Sequence, residues 1–106
     1  MKDTLERRSG ALCTLFAWQQ TPQDRDSWAT ITVDGEAAAV WGDDEQRLQA
    51  FEGSVHLFCR KLDATPMLLQ AGLAELDCSW RLDYMNYEEP TRLLHYHWIW
   101  QDWGLT

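Results

Sequence analysis

Basic residues are scarce in this chain: nine Lys and Arg stand against seventeen Asp and Glu, for a net charge of −8. A field of that sign repels a phosphate backbone and an anionic lipid surface, so neither nucleic acid nor membrane is expected as a partner. It favours basic proteins or cationic small molecules. Cysteine is also sparse. Cys13, Cys59 and Cys78 are an odd number at unrelated spacings, which speaks against a disulfide framework and for free thiols in a reducing compartment. No run of ~18 apolar residues is long enough to span a bilayer as a helix. The polar start Met1 to Arg8 has no signal-peptide core behind it, and the expected location is cytoplasmic. No segment repeats, none is of low complexity and no linker divides the chain, so residues 1–106 read as a single domain. A glycine-rich strand-to-helix loop is missing too, and Gly42-Asp43-Asp44 would repel phosphate.

What the chain has in excess is tryptophan. There are seven, Trp18, Trp28, Trp41, Trp80, Trp98, Trp100 and Trp103, in 106 residues. Several belong to two alternating runs near the C-terminus. From Ala74 to Asn86, Leu76, Cys78, Trp80, Leu82 and Tyr84 alternate with Glu75, Asp77, Ser79, Arg81 and Asp83. From Leu93 to Trp103, Leu94, Tyr96, Trp98 and Trp100 alternate with Leu93, His95, His97, Ile99 and Gln101. Period-two alternation is the signature of a half-buried strand. With Tyr87-Glu88-Glu89-Pro90-Thr91 between them, the two runs predict a long antiparallel hairpin over 74–103. Matching the two alternations about the loop pairs Trp80 with Trp98, Leu82 with Tyr96 and Asp83 with His95.

Earlier in the chain, residues 1–10 form a loose or briefly helical arm. Ala11 to Gln20 fits either a strand or a helix, and the strand is preferred. Trp28 to Val33 and Glu36 to Trp41 flank Asp34-Gly35, a dipeptide suited to a two-residue hairpin turn. Asp43 and Gln46 form a capping pair ahead of Leu48, Phe51, Val55, Phe58 and Leu62, whose steps of three and four predict a long helix. Thr65-Pro66 starts a short helical turn that Gly72 ends. The expected architecture is α+β: a five-stranded, largely antiparallel sheet of three N-terminal strands and the C-terminal hairpin, with one long helix packed on one face. Part of the other face should then lie open.

Three constellations invite chemistry. His95 and His97 share one strand face, and His56 with Cys59 has a ligand-like spacing, so a zinc site can be written down. On the predicted helix, however, His56 lies roughly 130° from the apolar stripe and points away from the sheet; no metal or other cofactor is expected. Ser79, Asp83 and His95 suggest a triad, but Ser79 and Asp83 are roughly 13 Å apart along a strand, too far for one relay. An Asp83–His95 ion pair is the simpler reading, and no catalytic residue is assigned. The third constellation is aromatic: Trp80, Tyr84, Tyr96, Trp98, Trp100 and Trp103 form a candidate ligand- or partner-binding surface. The preferred function is a non-enzymatic binding protein using acidic and aromatic surface against a protein partner, as an inhibitor, immunity-type or regulatory protein does. The alternative is a small-molecule module holding a cationic, partly apolar ligand in a tryptophan-lined pocket. An enzyme ranks third. A homodimer that pairs open sheet faces or edge strands is a further expectation.

Overall fold

The computed structural model describes residues 1–15, 25–42 and 45–105, with side-chain surroundings described for 1–15, 25–35 and 50–102. Helix α1 (Lys2–Ser9) leads into β1 (Leu12–Leu15), β2 (Ser27–Gly42) and β3 (Glu45–Cys59); α2 (Thr65–Glu75) precedes β4 (Ser79–Glu88) and β5 (Leu93–Leu105). The strands form one mixed sheet in the order β1-β2-β3-β5-β4. β1 runs parallel to β2, and the other neighbours are antiparallel. The sheet is therefore not the largely antiparallel one expected, and two modest helices replace the single long one.

The arm at the N-terminus is a regular helix. Asp3 in its first turn and Arg7 and Arg8 in its last suit the helix dipole, and Lys2 bonds Glu6 one turn on at 3.0 Å. Gly10 closes it at φ 75, where its N–H reaches the Glu6 carbonyl at 2.9 Å. The strand preference for Ala11 to Gln20 holds for Leu12 to Leu15; residues 16–20, Trp18 among them, lie outside the described residues. Asp34-Gly35 is no hairpin turn. β2 continues through it with a bulge between Val33 and Gly35, and the Asp34 carboxylate accepts hydroxyls from Thr32 at 2.9 Å and Ser54 at 3.0 Å. Gly35, at φ 153, accommodates the irregularity, and glycine marks a bulge as readily as a turn.

The largest departure is β3. The stretch predicted as a long helix, through Val55 and Phe58, is the central strand, bonded to β2 on one side and β5 on the other. The proposed cap at Asp43 lies outside the described residues. The helical stripe dissolves: Val55 and Phe58 take opposite sheet faces, and Leu62 lies past the strand, 81% exposed. What forms instead is a two-residue alternation, with Val55, Leu57 and Cys59 fully buried on one face and Ser54, His56 and Phe58 on the other. A strand covered on both faces is a near-continuous apolar run, which spacing alone does not separate from a helix. Gly53 belongs to this strand for a packing reason. Its cross-strand partner is Trp100, and a β-carbon there would collide with the Trp100 indole and the Thr32 carbonyl.

Thr65-Pro66 does start α2, with the Asp63 carboxylate accepting the Thr65 N–H at 2.9 Å. Gly72 does not end it. The helix runs on to Glu75, and Gly72 is where α1 comes closest: a β-carbon there would lie 3.0 Å from Leu5 Cδ2. Arg7 and Arg8 clasp Glu75 at 2.9 and 3.1 Å. The two helices thus dock on each other. Leu5, Leu69 and Leu73 press onto Ile31, Val55, Leu57, Tyr96 and Trp98 to make the main core.

The C-terminal hairpin exists but starts later, at Ser79, because α2 occupies Ala74 and Glu75. Its register differs as well. Trp80 pairs with Trp100 and Leu82 with Trp98, two residues from the expected pairing, so Trp80 and Trp98 still share a face. Asp83 is then bulged out, and beyond it Tyr84 pairs with His97 and Asn86 with His95. The extra residue reverses the alternation.

Candidate functional site

Both helices dock on one sheet face, so the face opposite carries no helix among the described residues. Its central side chains come from neighbouring positions on three strands. His95 and His97 lie two apart on β5, and His56 on β3 is directly opposite His97. The His56 and His97 rings stack at 4.3 Å and 5°, and His56 Nδ1 lies 2.8 Å from His95 Nε2. Each β5 histidine has its own carboxylate: His95 Nδ1 is 3.2 Å from Glu88, and His97 Nδ1 is 3.1 Å from Asp83, the bulged residue. The expected Asp83–His95 pair is thus replaced by two parallel carboxylate–imidazole pairs. His97 Nε2 is buried without a hydrogen-bond partner among the described residues. Burial pushes His56 down to about 4, helped by the neighbouring rings of His97 and His95 and opposed by Asp34. His95 also moves down, through burial, against the pull of Glu88.

An aromatic ladder extends the cluster. Phe58 stacks on His95 at 4.5 Å and on Trp28 at 5.9 Å, and the Arg60 guanidinium caps Trp28 at 5.2 Å. Ser54, the nearest hydroxyl on β3, is bonded to Asp34 instead of a histidine, and Ser79 lies opposite Gln101. Among the described residues, neither of these serines is joined to an imidazole. Cys13 and Cys59 are pushed up to about 12 by burial, and Cys78 moves up for the same reason. Burial thus disfavours the thiolate form at all three.

The six residues singled out from sequence do not form one surface. Tyr96, Trp98 and Trp100 are core, and Trp98 is fully buried with its Nε1–H donated to Gln70 at 3.0 Å. Trp80 is half-buried beside them. Tyr84 is carried by the bulge to the other face, where its ring meets His95 edge-on at 5.3 Å. The Trp103 backbone pairs with Ala50, and its side chain lies outside the described residues. Exposed apolar area gathers instead on the edge strand β4. Leu82, Tyr84, Met85 and Tyr87 are 40–56% exposed. The sequence names His56 but a helical reading turns it away from the sheet; the alternation of Val55, Leu57 and Cys59 with His56 and Phe58 is the signal for the strand that brings it to His97.

One cleft lies on the helix side. It has a volume of about 520 Å³ and is walled by Leu15, Ile31, Val33 and Trp100, with Lys2, Asp3 and Asp102 around it. No helix among the described residues is long and apolar enough to cross a membrane. No protein-family model matches the chain, and no curated protein matches its sequence.

Proposed function

We propose that this chain is a non-enzymatic binding protein that takes an extended segment of a protein partner onto the β4 edge. The observation that carries the reading is the character of that edge. β4 ends the sheet and, although the bulge at Asp83 and the charges of Arg81, Asp83 and Glu88 interrupt it, it carries no Pro or Lys and exposes Leu82, Met85 and Tyr87 on the helix side with Tyr84 on the other. A strand with open N–H and C=O groups and apolar side chains on both faces suits β-strand addition, in which the main chain supplies affinity and alternate side chains supply choice. Asp83, Glu88 and Glu89 beside it, within a chain of net charge −8, favour a segment that also carries Lys or Arg.

Panning a random peptide library on the immobilised protein tests this. The expected binders are β-prone and basic, weaken as salt rises, and lose binding to a Tyr84→Lys/Met85→Lys double variant. Binders that ignore that variant would refute it. Sedimentation of the protein alone reports whether a second copy takes the edge instead. The cleft favours a second reading, since Trp100 with Asp3 and Asp102 is the combination a cationic, partly apolar ligand would use. Quenching of tryptophan fluorescence by an alkylammonium probe, lost in Asp102→Asn, would support it.

A further inference from the structure

We propose that the β4 edge is self-complementary: without another partner it pairs antiparallel with β4 of a second copy of this chain, about a two-fold axis at Met85. The inference rests on the reading that this edge accepts a strand, and it names a particular occupant.

The pairing follows from the bulge. Before Asp83, Leu82 lies on the helix side and Arg81 on the histidine side. After it, Met85 and Tyr87 lie on the helix side, with Tyr84, Asn86 and Glu88 on the other. Two antiparallel strands bury matching surfaces only where directly opposed residues share a face. With Met85 opposite itself, Tyr84 opposes Asn86 of the other copy, Leu82 opposes Tyr87 and Arg81 opposes Glu88. Every one of these pairs agrees in face. Each Asp83 then stands opposite the step between Asn86 and Tyr87 of the other copy, as it stands opposite the step between His97 and Trp98 in its own sheet.

A register with Tyr84 opposite itself also keeps the faces, and charge separates the two. That register sets Arg81 against Asn86 and Glu88 against Ser79, whereas the Met85 register makes two Arg81–Glu88 pairs. The Arg81 guanidinium, 3.2 Å from Asp83 and 65% exposed, has donors left for a second carboxylate. On the helix side, Leu82, Met85 and Tyr87 of both copies line up as one stripe. These side chains are 45–56% exposed in the single chain. The stripe supplies apolar burial, while the exposed ion pairs select the register. Two chains of net charge −8 repel, which holds the dimer to the weak, transient class. Near its own dissociation constant it adds little to the stability of the fold.

Sedimentation of the full chain over a range of concentrations tests the association, and disulfide trapping tests the register. A reversible monomer–dimer equilibrium is expected. It should tighten as salt rises, because close pairs are screened less than the net repulsion, which is the opposite of the trend for a basic segment. Directly opposed residues have Cα atoms about 4.5–5.5 Å apart, within disulfide reach. In a Cys78→Ser background under a glutathione buffer, Met85→Cys should therefore form a covalent dimer. Tyr84→Cys and Leu62→Cys, exposed but not self-opposed, should not. Arg81→Glu should weaken association roughly tenfold, and mixing it with Glu88→Arg should restore a dimer of the two variants. A chain that stays monomeric up to its solubility limit overturns the proposal, and leaves the reading of the edge standing if selected peptides still bind there. A dimer trapped by Tyr84→Cys instead of Met85→Cys, or one indifferent to Arg81→Glu, overturns it too. Peptides that ignore the edge variant while Met85→Cys is trapped would refute the earlier reading alone.

Discussion

Replacing Gly53 by alanine separates two accounts of the same sequence, because the sign of the effect reverses between them. In a solvated helix the added methyl would stabilise by about 1 kcal/mol. In β3 it meets two obstacles, the Thr32 carbonyl on β2 and the indole of Trp100, whose Cε2 would lie 2.7 Å from the new carbon. The first obstacle is backbone held in a sheet ladder, and the second is a ring only 6% exposed. Neither can retreat as the end of a flexible side chain does. Overpacking of this kind costs about 1–3 kcal/mol, and two rigid obstacles put Gly53→Ala at the upper end. Stiffening of the unfolded chain returns about 0.4–1 kcal/mol. The net loss is then about 2 kcal/mol, which for a domain of this size lowers Tm by about 8–16 °C. Thermal melts and urea titrations followed by circular dichroism measure it. The Trp100→Leu background should recover part of the loss, a coupling of about 0.5 kcal/mol or more between groups in contact. A Gly53→Ala protein as stable as the parent, or more so, would refute the packing argument and the strand with it.

Trp98→Ala should cost about 3–5 kcal/mol, since it empties a fully buried site and leaves Gln70 without its indole donor; thermal denaturation measures it. A smaller loss would mean that the core collapses around the vacancy. His56 sits at about 4 in the fold against an ordinary 6.5, so stability should fall as pH drops from 6.5 towards 4. The sign follows from the unfolded chain binding the proton first. One such group contributes at most about 1.4 kcal/mol per pH unit, less for a ring that is only partly buried. Urea midpoints of the parent and His56→Gln should therefore converge or cross on acidification, and parallel profiles would contradict the assignment. Met85→Lys with Tyr87→Lys, on exposed positions of β4, should shift stability by no more than about 0.5 kcal/mol per site in calorimetry. A large loss would reveal that the edge is already packed in a native assembly.

Local signals were read correctly where one physical cause dominated. The β4–β5 hairpin announced itself because Trp80, Leu82, Trp98 and Trp100 alternate with neighbours that, Ile99 apart, are polar, and the start of α2 because proline follows Thr65. β3 was misread because Leu48, Phe51, Val55, Phe58 and Leu62 keep helical spacing, while the interaction that decides the matter, two flanking strands, comes from β2 and β5, far away in the chain. That one misreading also hid the histidine cluster. On a helix His56 points away from the sheet; on β3 it faces His97. Asp34-Gly35 and Asp83 share a further lesson, that a bulge uses the residues of a turn or of an ordinary strand and leaves no separate mark.

The bulge at Asp83 makes β4 a strand with two reading frames. Before it, even positions such as Trp80 and Leu82 address the helix side; after it, odd positions such as Met85 and Tyr87 do, and Tyr84 and Glu88 turn to the histidines. Losing that one residue would restore strict alternation and leave every other side chain on its present side, because Leu82 already pairs with Trp98 and Tyr84 with His97. Tyr84 and Glu88 would still meet the imidazoles and Trp80 would keep its place against Trp100, but His97 would lose its carboxylate partner. What the bulge adds to the strand is thus one carboxylate on the histidine face, set there without disturbing the register of either flank.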